Sequence, residues 1–233
     1  MAGLAALILA GGRGERLRPY TENAPKPMVP VNGKPLIYHQ LSWLQRSGVD
    51  QAYILCGYKY EVMQDYFREN AFPDMAIHFV PEDEPLGRGG AFKQGLSYID
   101  PGVDLVIATN GDIVTDQPLE ELIETHRRFG GLATIMLSPL RSSYGIVHTQ
   151  DDGRVLMFQE KPILPYWVNG GIYAFSPAIK NLLPNKGDHE TTTFPELARQ
   201  GKLFAFKSSA MWLPVDTVKD LGEASKILAD LEK

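Results

Sequence analysis

Glycines and basic side chains meet in one short segment near the start of the chain. After an apolar run at residues 4–9, the sequence continues Ala10-Gly-Gly-Arg-Gly-Glu-Arg-Leu-Arg-Pro19, and Pro25-Lys-Pro27 follows shortly. Glycines let backbone N–H groups close on a ligand, and arginine and lysine add fixed positive charge. These residue types predict a binding site for a phosphorylated ligand. The glycines are Gly11, Gly12 and Gly14, and the basic residues are Arg13, Arg16, Arg18 and Lys26.

Two familiar glycine loops do not fit this segment. The P-loop pattern needs a Gly-Lys-Ser/Thr triplet, and none follows Gly11 or Gly12. The dinucleotide-binding pattern G-x-G-x-x-G matches Gly12 and Gly14 but has Leu17 in place of its third glycine. Prolines at 19, 25, 27 and 30 also keep the segment irregular where that pattern needs a helix. A nicotinamide-dependent oxidoreductase therefore remains as a disfavoured alternative.

Carboxylates follow two of the predicted strands. Residues 104–109 are apolar enough for a buried strand, and this run opens onto Asn110-Gly-Asp112. A second acidic segment begins with Glu82 in the loop 81–90. A carboxylate beside a phosphate loop can hold Mg²⁺, which usually takes one or two carboxylates plus phosphate oxygens. A solvated turn is the alternative for both segments.

The first 140 residues alternate between strand and helix patterns. Continuous apolar strands separated by amphipathic helices predict a mostly parallel sheet covered on both faces. Open parallel sheets bind ligands at the carboxyl ends of their strands, where the glycine-rich loop and the carboxylates fall. Strands are predicted at 4–9, 52–56, 76–80, 104–109 and 132–137, and helices at 35–44, around 62–67, at 89–98 and at 118–129.

The pattern changes after about residue 140, where shorter strands dominate. Residues 144–148 and 155–159 alternate around the turn signal Asp151-Asp-Gly153, which predicts a hairpin. This half therefore predicts a small β-rich lid on one sheet, followed by a C-terminal helix. The other elements expected here are strands at 168–175, 204–206 and 211–215, a loop at 187–193, and helices at 194–199 and 218–231.

Bulk composition limits the classes of protein. With 233 residues and 44% apolar residues, the chain can form one large domain. A net charge of −5 argues against binding of nucleic acid polymers. The single Cys56 cannot form an internal disulfide, and no apolar run reaches the roughly 18 residues of a membrane span, so we expect a cytoplasmic protein without membrane attachment. None of the five histidines has metal-ligand spacing.

The glycine-rich segment resembles the signature of the sugar-1-phosphate nucleotidyltransferases, roughly L-A-G-G-x-G-T-R-L-x-P-L-T followed by P-K-P, with Glu15 and Tyr20 replacing two residues. The resemblance runs from Ala2 to about Leu231. It implies a Rossmann-like, mostly parallel sheet flanked by helices (a GT-A-like α/β fold) with a small β-rich sugar-binding lid. The other matching motifs are Glu82-Asp-Glu-Pro-Leu-Gly87, Gly111-Asp112, Tyr144-Gly145, Phe158-Gln-Glu-Lys-Pro162, Asn169-Gly-Gly-Ile-Tyr173 and Trp212-Leu-Pro-Val-Asp216.

The resemblance also implies a role for each matching residue. It implies one domain over 1–233, with a nucleotide-binding core at 1–140, a sugar-binding part at 141–217 and a C-terminal helix at 218–233. Arg16, Lys26 and Lys161 would be catalytic by holding phosphates, and Asp112 and Asp216 would hold Mg²⁺. The nucleotide would contact Leu9, Ala10, Gly11, Gly12, Gly14, Glu82, Gly87 and Asn110, and the sugar phosphate Tyr144, Gly145, Glu160, Lys161 and Asn169.

The implied partners are a nucleoside triphosphate and a sugar 1-phosphate, which would give a nucleotide-sugar and pyrophosphate; a homo-oligomer stays open. The mannose- and heptose-1-phosphate guanylyltransferases resemble this chain in the segment 27–35, in Gly57-Tyr-Lys59 and at Glu82, which implies GTP with one of those sugar phosphates. Glu15 instead resembles uridylyltransferases that act on N-acetylmuramate 1-phosphate. A uridylyl- or thymidylyltransferase for that substrate or glucose 1-phosphate, and a non-catalytic nucleotide-sugar sensor, therefore remain alternatives. The motifs assign no role to Arg88 or Glu190.

Overall fold

The computed structural model describes residues 3–231, which form strands and helices in alternation through most of the chain. In chain order the strands are β1 Leu4–Ala10, β2 Pro30–Val31, β3 Lys34–Pro35, β4 Val49–Cys56, β5 Ala76–Pro81, β6 Val106–Asn110, β7 Ile113–Thr115, β8 Ala133–Arg141, β9 Ile146–Thr149, β10 Val155–Gln159, β11 Ile163–Phe175, β12 Leu203–Lys207 and β13 Trp212–Pro214. The helices are α1 Leu36–Arg46, α2 Glu61–Glu69, α3 Gly87–Gly95, α4 Leu119–Phe129, α5 Thr193–Arg199 and α6 Val218–Leu231. Short 3₁₀ turns lie at Glu15–Leu17, Lys26–Met28 and Pro177–Asn181.

A seven-stranded sheet lies at the centre of the described residues. Its strand order is β12-β8-β11-β6-β1-β4-β5. β11 runs antiparallel to both of its neighbours, and every other neighbouring pair in this sheet is parallel. The predicted mostly parallel sheet is therefore confirmed, with one reversed strand inside it.

The central strands β1, β4 and β6 are buried on both faces of the sheet because they are apolar on both sides. Along β1, Ala6 and Ile8 pack into one layer with α1, α2 and α4, whereas Ala5 and Leu7 pack into the opposite layer with α3 and α5. Side chains alternate between the faces of a strand, so a continuous apolar run serves both layers. A smaller third cluster packs α6 against the segment that follows the glycine-rich loop, through Leu17, Val29, Val215 and Leu221, among others.

The second half of the chain divides between the central sheet and a separate hairpin. β9 and β10 pair only with each other among the described strands, and all five residues of β10 are exposed. β11 begins at Ile163, five residues before the predicted strand, and its buried second half enters the sheet between β6 and β8. The prediction of a separate β-rich part is therefore wrong for β11 and β12, whose apolar residues complete the core, whereas the hairpin stays outside the central sheet. The division at residue 140 concerns ligand contacts and stays a prediction.

Two features bear on the expectations drawn from composition. Cys56 is buried at the end of β4, and burial raises the pKa of its thiol to about 12, so the thiol is protonated at neutral pH. Between Gly3 and Leu231, no helix combines the length and the apolar character that crossing a membrane would require.

His189 is fully buried in an aromatic environment. Its ring centroid lies 5.2 Å from that of Phe92, 5.5 Å from that of Tyr173 and 4.7 Å from that of Phe194. Neither ring nitrogen has a hydrogen-bond partner within residues 3–231, and Nδ1 lies 3.7 Å from Asp188 Oδ1. Burial lowers the pKa of His189 to about 4 and outweighs the attraction of Asp188, so the folded protein holds this histidine neutral at neutral pH.

We expect the neutral His189 to make stability depend on pH. An unfolded histidine titrates near pH 6.5. The contribution of the neutral His189 to the free energy of unfolding is therefore fully present above that pH and is lost as the pH falls toward 4. Between pH 7.5 and pH 5 it amounts to about 2 kcal/mol of unfolding free energy. Urea denaturation should show that the free energy of unfolding falls by this amount between pH 7.5 and pH 5 in the wild type, and that His189→Phe removes this decrease. His148→Phe, at an exposed position of β9, is the control. An unchanged pH dependence in His189→Phe would contradict the assignment.

Candidate functional site

A cleft of about 640 Å³ opens at the carboxyl ends of β1 and β6. This is the end of the sheet at which the sequence places the glycine-rich loop and Asp112. Residues to which the motifs assigned no role also line it, among them Arg88, Trp212 and Pro214. The predicted site residues in its lining are Leu9, Ala10, Gly11, Gly12, Arg16, Lys26, Glu82, Gly87, Asn110, Asp112, Asn169 and Asp216.

Lys26 joins the two predicted metal-binding carboxylates. Its Nζ donates to Asp112 Oδ2 at 2.8 Å and to Asp216 Oδ1 at 2.7 Å. Arg16 Nη2 lies 3.1 Å from the same oxygen of Asp216. Partial burial raises the pKa of Asp216, but Lys26 and Arg16 outweigh it and hold that pKa below its ordinary value. The cleft therefore contains two carboxylates in contact with one lysine, whose side chain is only 13% exposed.

A two-stranded pairing brings Asp112 and Asp216 together across a hundred residues of chain. β7 follows Asp112 directly and pairs with β13, with Ile113 opposite Pro214. The N–H of Val215 also donates to the carbonyl of Asp112 at 2.8 Å. β7 has only three residues, too few to carry a strand pattern, and the sequence did not predict it. The predicted strand at 211–215 is present as β13, and its partner fixes the position of Asp216.

The buried side-chain amide of Gln40 stabilises the loop that carries Asp112. Gln40, on the inner face of α1, donates from Nε2 to the carbonyl of Asn110 at 2.5 Å. A Cβ at Gly111 would lie 2.1 Å from the carbonyl oxygen of Leu9, so the close approach of the two strand ends requires glycine there. The sequence analysis missed Gln40, although one glutamine among the apolar residues at 36, 37, 41 and 44 is a visible signal.

Glu82 supports the loop at the far end of the cleft. Its Oε2 accepts the N–H of Leu86 at 3.0 Å, and a Cβ at Gly11 would lie 2.8 Å from Oε1. One carboxylate oxygen is therefore already used inside the protein, and the other lies against the glycine-rich loop. Gly14 lies outside the cleft lining; a Cβ there would lie 2.7 Å from Lys26 Cβ.

Four of the predicted sugar-phosphate residues lie away from the cleft lining, at the base of the β9–β10 hairpin. Tyr144 is 79% exposed, and Glu160 and Lys161 are also exposed. A Cβ at Gly145 would lie 3.2 Å from Glu160 Oε2, which places this pair side by side. The structure thus gathers these residues in one region and Asn169 in another. Their assignment to the sugar phosphate stays a prediction.

Arg88 and Glu190 form a network that no motif indicated. Arg88 pairs with Asp188 through Nε at 3.0 Å and through Nη2, and Nη2 also lies 2.8 Å from Glu190 Oε2. Glu190 Oε1 accepts from Asn169 Nδ2 at 2.9 Å and from the Tyr173 hydroxyl at 3.0 Å. The Arg88–Asp188 pairing spans a hundred residues, so local spacing gives no signal for it.

The Nucleotidyl transferase family model matches residues 5–230. The chain belongs to this family. A mannose-1-phosphate guanyltransferase of Pichia angusta is 35% identical over 230 residues, which cover 93% of this chain and 62% of that protein. A mannose-1-phosphate guanylyltransferase catalytic subunit beta of Drosophila pseudoobscura pseudoobscura is 33% identical, over 94% and 60% respectively. The chain thus spans about three fifths of the length of these curated relatives.

Solved structures extend the similarity to nearly the whole chain. HddC from Yersinia pseudotuberculosis superposes with a TM-score of 0.79 at 27% identity, covering 97% of this chain and 99% of HddC. HddC complexed with GMP-PN gives a TM-score of 0.75 at 26% identity, with the same coverage. Together with the family match, these structures confirm the predicted family and fold, and they exclude the oxidoreductase alternative.

The donor set at Asp112 and Asp216 suits a divalent cation, which this family generally uses. Two carboxylate oxygens already converge within 2.8 Å of one ammonium nitrogen. Across residues 3–231 no group of three or more His, Cys, Asp or Glu side chains could hold a metal. A cation that needs only one or two carboxylates, with phosphate oxygens as further ligands, therefore fits these residues.

We expect Lys26→Met to raise the pKa of Asp216. The variant removes the hydrogen bond and the charge that oppose partial burial, whereas Arg16→Met removes a side chain that is 71% exposed and more strongly screened. Carboxyl NMR titration of labelled aspartates would measure both variants. The pKa of Asp216 should rise more in Lys26→Met than in Arg16→Met. An equal or smaller rise in Lys26→Met would contradict the conclusion that Lys26 lowers this pKa more than Arg16 does.

Proposed function

We propose that this protein transfers a nucleotidyl group from a nucleoside triphosphate to a sugar 1-phosphate. An oxygen of the sugar phosphate forms a bond to the α-phosphorus while the bond from that phosphorus to the pyrophosphate oxygen breaks. The products are a nucleotide-sugar and pyrophosphate. The observation that carries this proposal is the meeting of Lys26, Asp112 and Asp216 in a cleft beside a glycine-rich loop.

The chain needs no covalent intermediate for this reaction, because the sugar phosphate is itself the nucleophile. Its residues have to align two anionic groups and neutralise their charge. Lys26 acts on the phosphates in the cleft, and Arg16 neutralises the departing pyrophosphate. Lys161 holds the sugar phosphate, a role that requires the exposed base of the hairpin to approach the cleft.

Asp112 and Asp216 are the residues that would hold Mg²⁺. When bound, this ion supplies positive charge to the phosphate oxygens. Lys26 contacts both carboxylates and holds them close together. The pairing of β7 with β13 fixes their backbone positions.

We further propose GTP and mannose- or heptose-1-phosphate as the substrates. Support comes from the relatives named mannose-1-phosphate guanyltransferase and from HddC, which was crystallised with GMP-PN. Because the reaction consumes a nucleoside triphosphate, we propose that it takes place in the cytoplasm. Assembly into a homo-oligomer stays open. Uridylyl or thymidylyl transfer and a non-catalytic sensor are the alternatives.

Pyrophosphate release with Mg²⁺ would test this function directly. ATP, GTP, CTP, UTP and dTTP are each combined with mannose-, glucose- and heptose-1-phosphate. We expect one productive pair containing GTP, and we expect Asp112→Asn to lower kcat/KM roughly 100-fold or more through lost charge stabilisation. Asp65→Asn, on the exposed face of α2, is the matched control.

Each other outcome identifies an alternative. Turnover with UTP or dTTP would replace GTP in the proposal. Tight binding of nucleotide-sugar without turnover of any pair would identify a sensor and overturn the catalytic roles. Full activity in Asp112→Asn would remove Asp112 from the metal site.

A further inference from the structure

We propose that Arg88 is a positioning residue that holds Glu190 against Asn169, so that the two form a wall of hydrogen-bond acceptors where Arg88 and Asn169 line the cleft. This acceptor wall, made of Glu190 and Asn169, selects the 1-phosphates of neutral, hydroxyl-rich sugars against those of sugar acids. The inference rests on the proposed function, because it takes the second substrate to be a sugar 1-phosphate.

The guanidinium of Arg88 is committed to two carboxylates. Nε and Nη2 both reach Oδ2 of Asp188, and Nη2 also reaches Oε2 of Glu190. A planar guanidinium held by several bonds has a fixed orientation, and it fixes its partners in turn. One positive and two negative side chains give this group a formal net charge of −1, beside the part of the cleft that Arg88 lines.

The charges of this pair persist at neutral pH. Partial burial raises the pKa of Asp188, but Arg88 and the N–H of Glu190 outweigh that effect and hold the pKa below its ordinary value. Burial likewise lowers the pKa of Arg88, and its two carboxylate partners more than restore it.

Every hydrogen on the side chains of the acceptor wall is already used inside the protein. The two hydrogens on Asn169 Nδ2 face Glu190 Oε1 at 2.9 Å and the Tyr173 oxygen at 3.0 Å. The hydroxyl hydrogen of Tyr173 is donated to Glu190 Oε1 at 3.0 Å. An ionised glutamate has no hydrogen to donate. Only lone pairs on Glu190 and Asn169 therefore remain for a ligand.

The orientation of the Asn169 amide is determined on both sides. Its Oδ1 accepts the N–H of Gly171 at 2.9 Å, while Nδ2 faces the carboxylate of Glu190. Exchanging oxygen and nitrogen would place Oδ1 against a negatively charged oxygen and Nδ2 against an N–H. Removing Arg88 would free the carboxylate that enforces this orientation.

Backbone contacts keep Arg88 and Glu190 in a fixed relation. The N–H of Gly187 donates to Leu86 O at 2.7 Å, and the N–H of Gly89 donates to Gly187 O at 2.9 Å. A Cβ at Gly89 would lie 2.8 Å from the backbone nitrogen of His189, so the two segments approach more closely than a side chain would permit. Arg88 projects from this interlocked backbone into the cleft lining.

The acceptor wall has a direct chemical preference. Sugar hydroxyls can donate to the free lone pairs of Glu190 and Asn169. A carboxylate on the sugar offers no hydrogen at neutral pH and meets a net negative charge. Discrimination of this kind arises from an unpaired or repelled group on the wrong substrate.

The first test compares mannose 1-phosphate with mannuronic acid 1-phosphate, which differ at C6. With wild-type protein and saturating GTP, we expect kcat/KM to be at least about tenfold lower for the acid, and calorimetry to show weaker binding of the acid. Equal or preferred use of the acid would overturn this inference and leave the nucleotidyl transfer reaction intact. Absence of binding and turnover with every sugar 1-phosphate would overturn the proposed function as well.

The second test separates positioning from general structure. We expect Arg88→Met to raise the KM for the sugar 1-phosphate about tenfold with the KM for GTP within about twofold, and Arg88→Lys to recover part of the loss by restoring the charge. Arg68→Met, which breaks an exposed pair with Asp65 on α2, is the control and should match wild type. A rise confined to the KM for GTP, or an equal loss in Arg68→Met, would overturn the role of Arg88.

A third variant keeps the specificity claim testable if Arg88→Met does not fold. Glu190→Gln adds N–H donors to the acceptor wall and removes one negative charge. We expect it to narrow the preference for mannose 1-phosphate over mannuronic acid 1-phosphate by about threefold or more. An unchanged preference in this folded variant would contradict the acceptor wall.

Discussion

The arrangement of the cleft depends on the contact of one ammonium group with two carboxylates. Two aspartates at hydrogen-bond distance from the same point would repel each other without Lys26 between them. The contact requires three distant segments to meet: the turn after the glycine-rich loop, the end of β6 and the end of β13. The pairing of β7 with β13 and the buried amide of Gln40 satisfy that requirement with backbone and side-chain hydrogen bonds.

The cleft has two regions with different means of support. Around Lys26 the two aspartates are held by ion pairs with the lysine, and the pairing of the short strands β7 and β13 holds their backbone. Around Arg88 the support comes from an interlocked backbone, in which glycines admit a neighbouring loop, and from a carboxylate network that reaches Asn169. Tyr144, Glu160 and Lys161 belong to neither region in this conformation, because the hairpin that carries them has its own small sheet. The residues around Lys26 and Arg88 are therefore already assembled in the cleft, whereas the hairpin residues lie apart from it.

Local sequence patterns predicted the elements and the first half of the site, but long-range pairing decided the rest. An apolar run ending in Asn110-Gly-Asp112 marks Asp112, and the turn at 151–153 marks the hairpin. The contacts of Asp216 could not be derived in this way, since they depend on β7, which has only three residues. The sequence also did not predict that β11 is antiparallel, because the direction of a strand depends on the strands between which it lies and not on its own residues. The ion pairs of Arg88 and Glu190 join residues a hundred positions apart, where spacing carries no information.

The reversed strand also has a consequence for how the chain acquires its structure during synthesis. β8 has no place beside β6 until β11 enters between them, and β12 can add to β8 only afterwards. Before β11 is available, the sheet therefore consists of β6, β1, β4 and β5 with an unpaired edge at β6, and β8 has no partner among the described strands. Completion of the sheet waits for residues beyond 170, a long-range closure of the type that slows folding and exposes intermediates to chaperones.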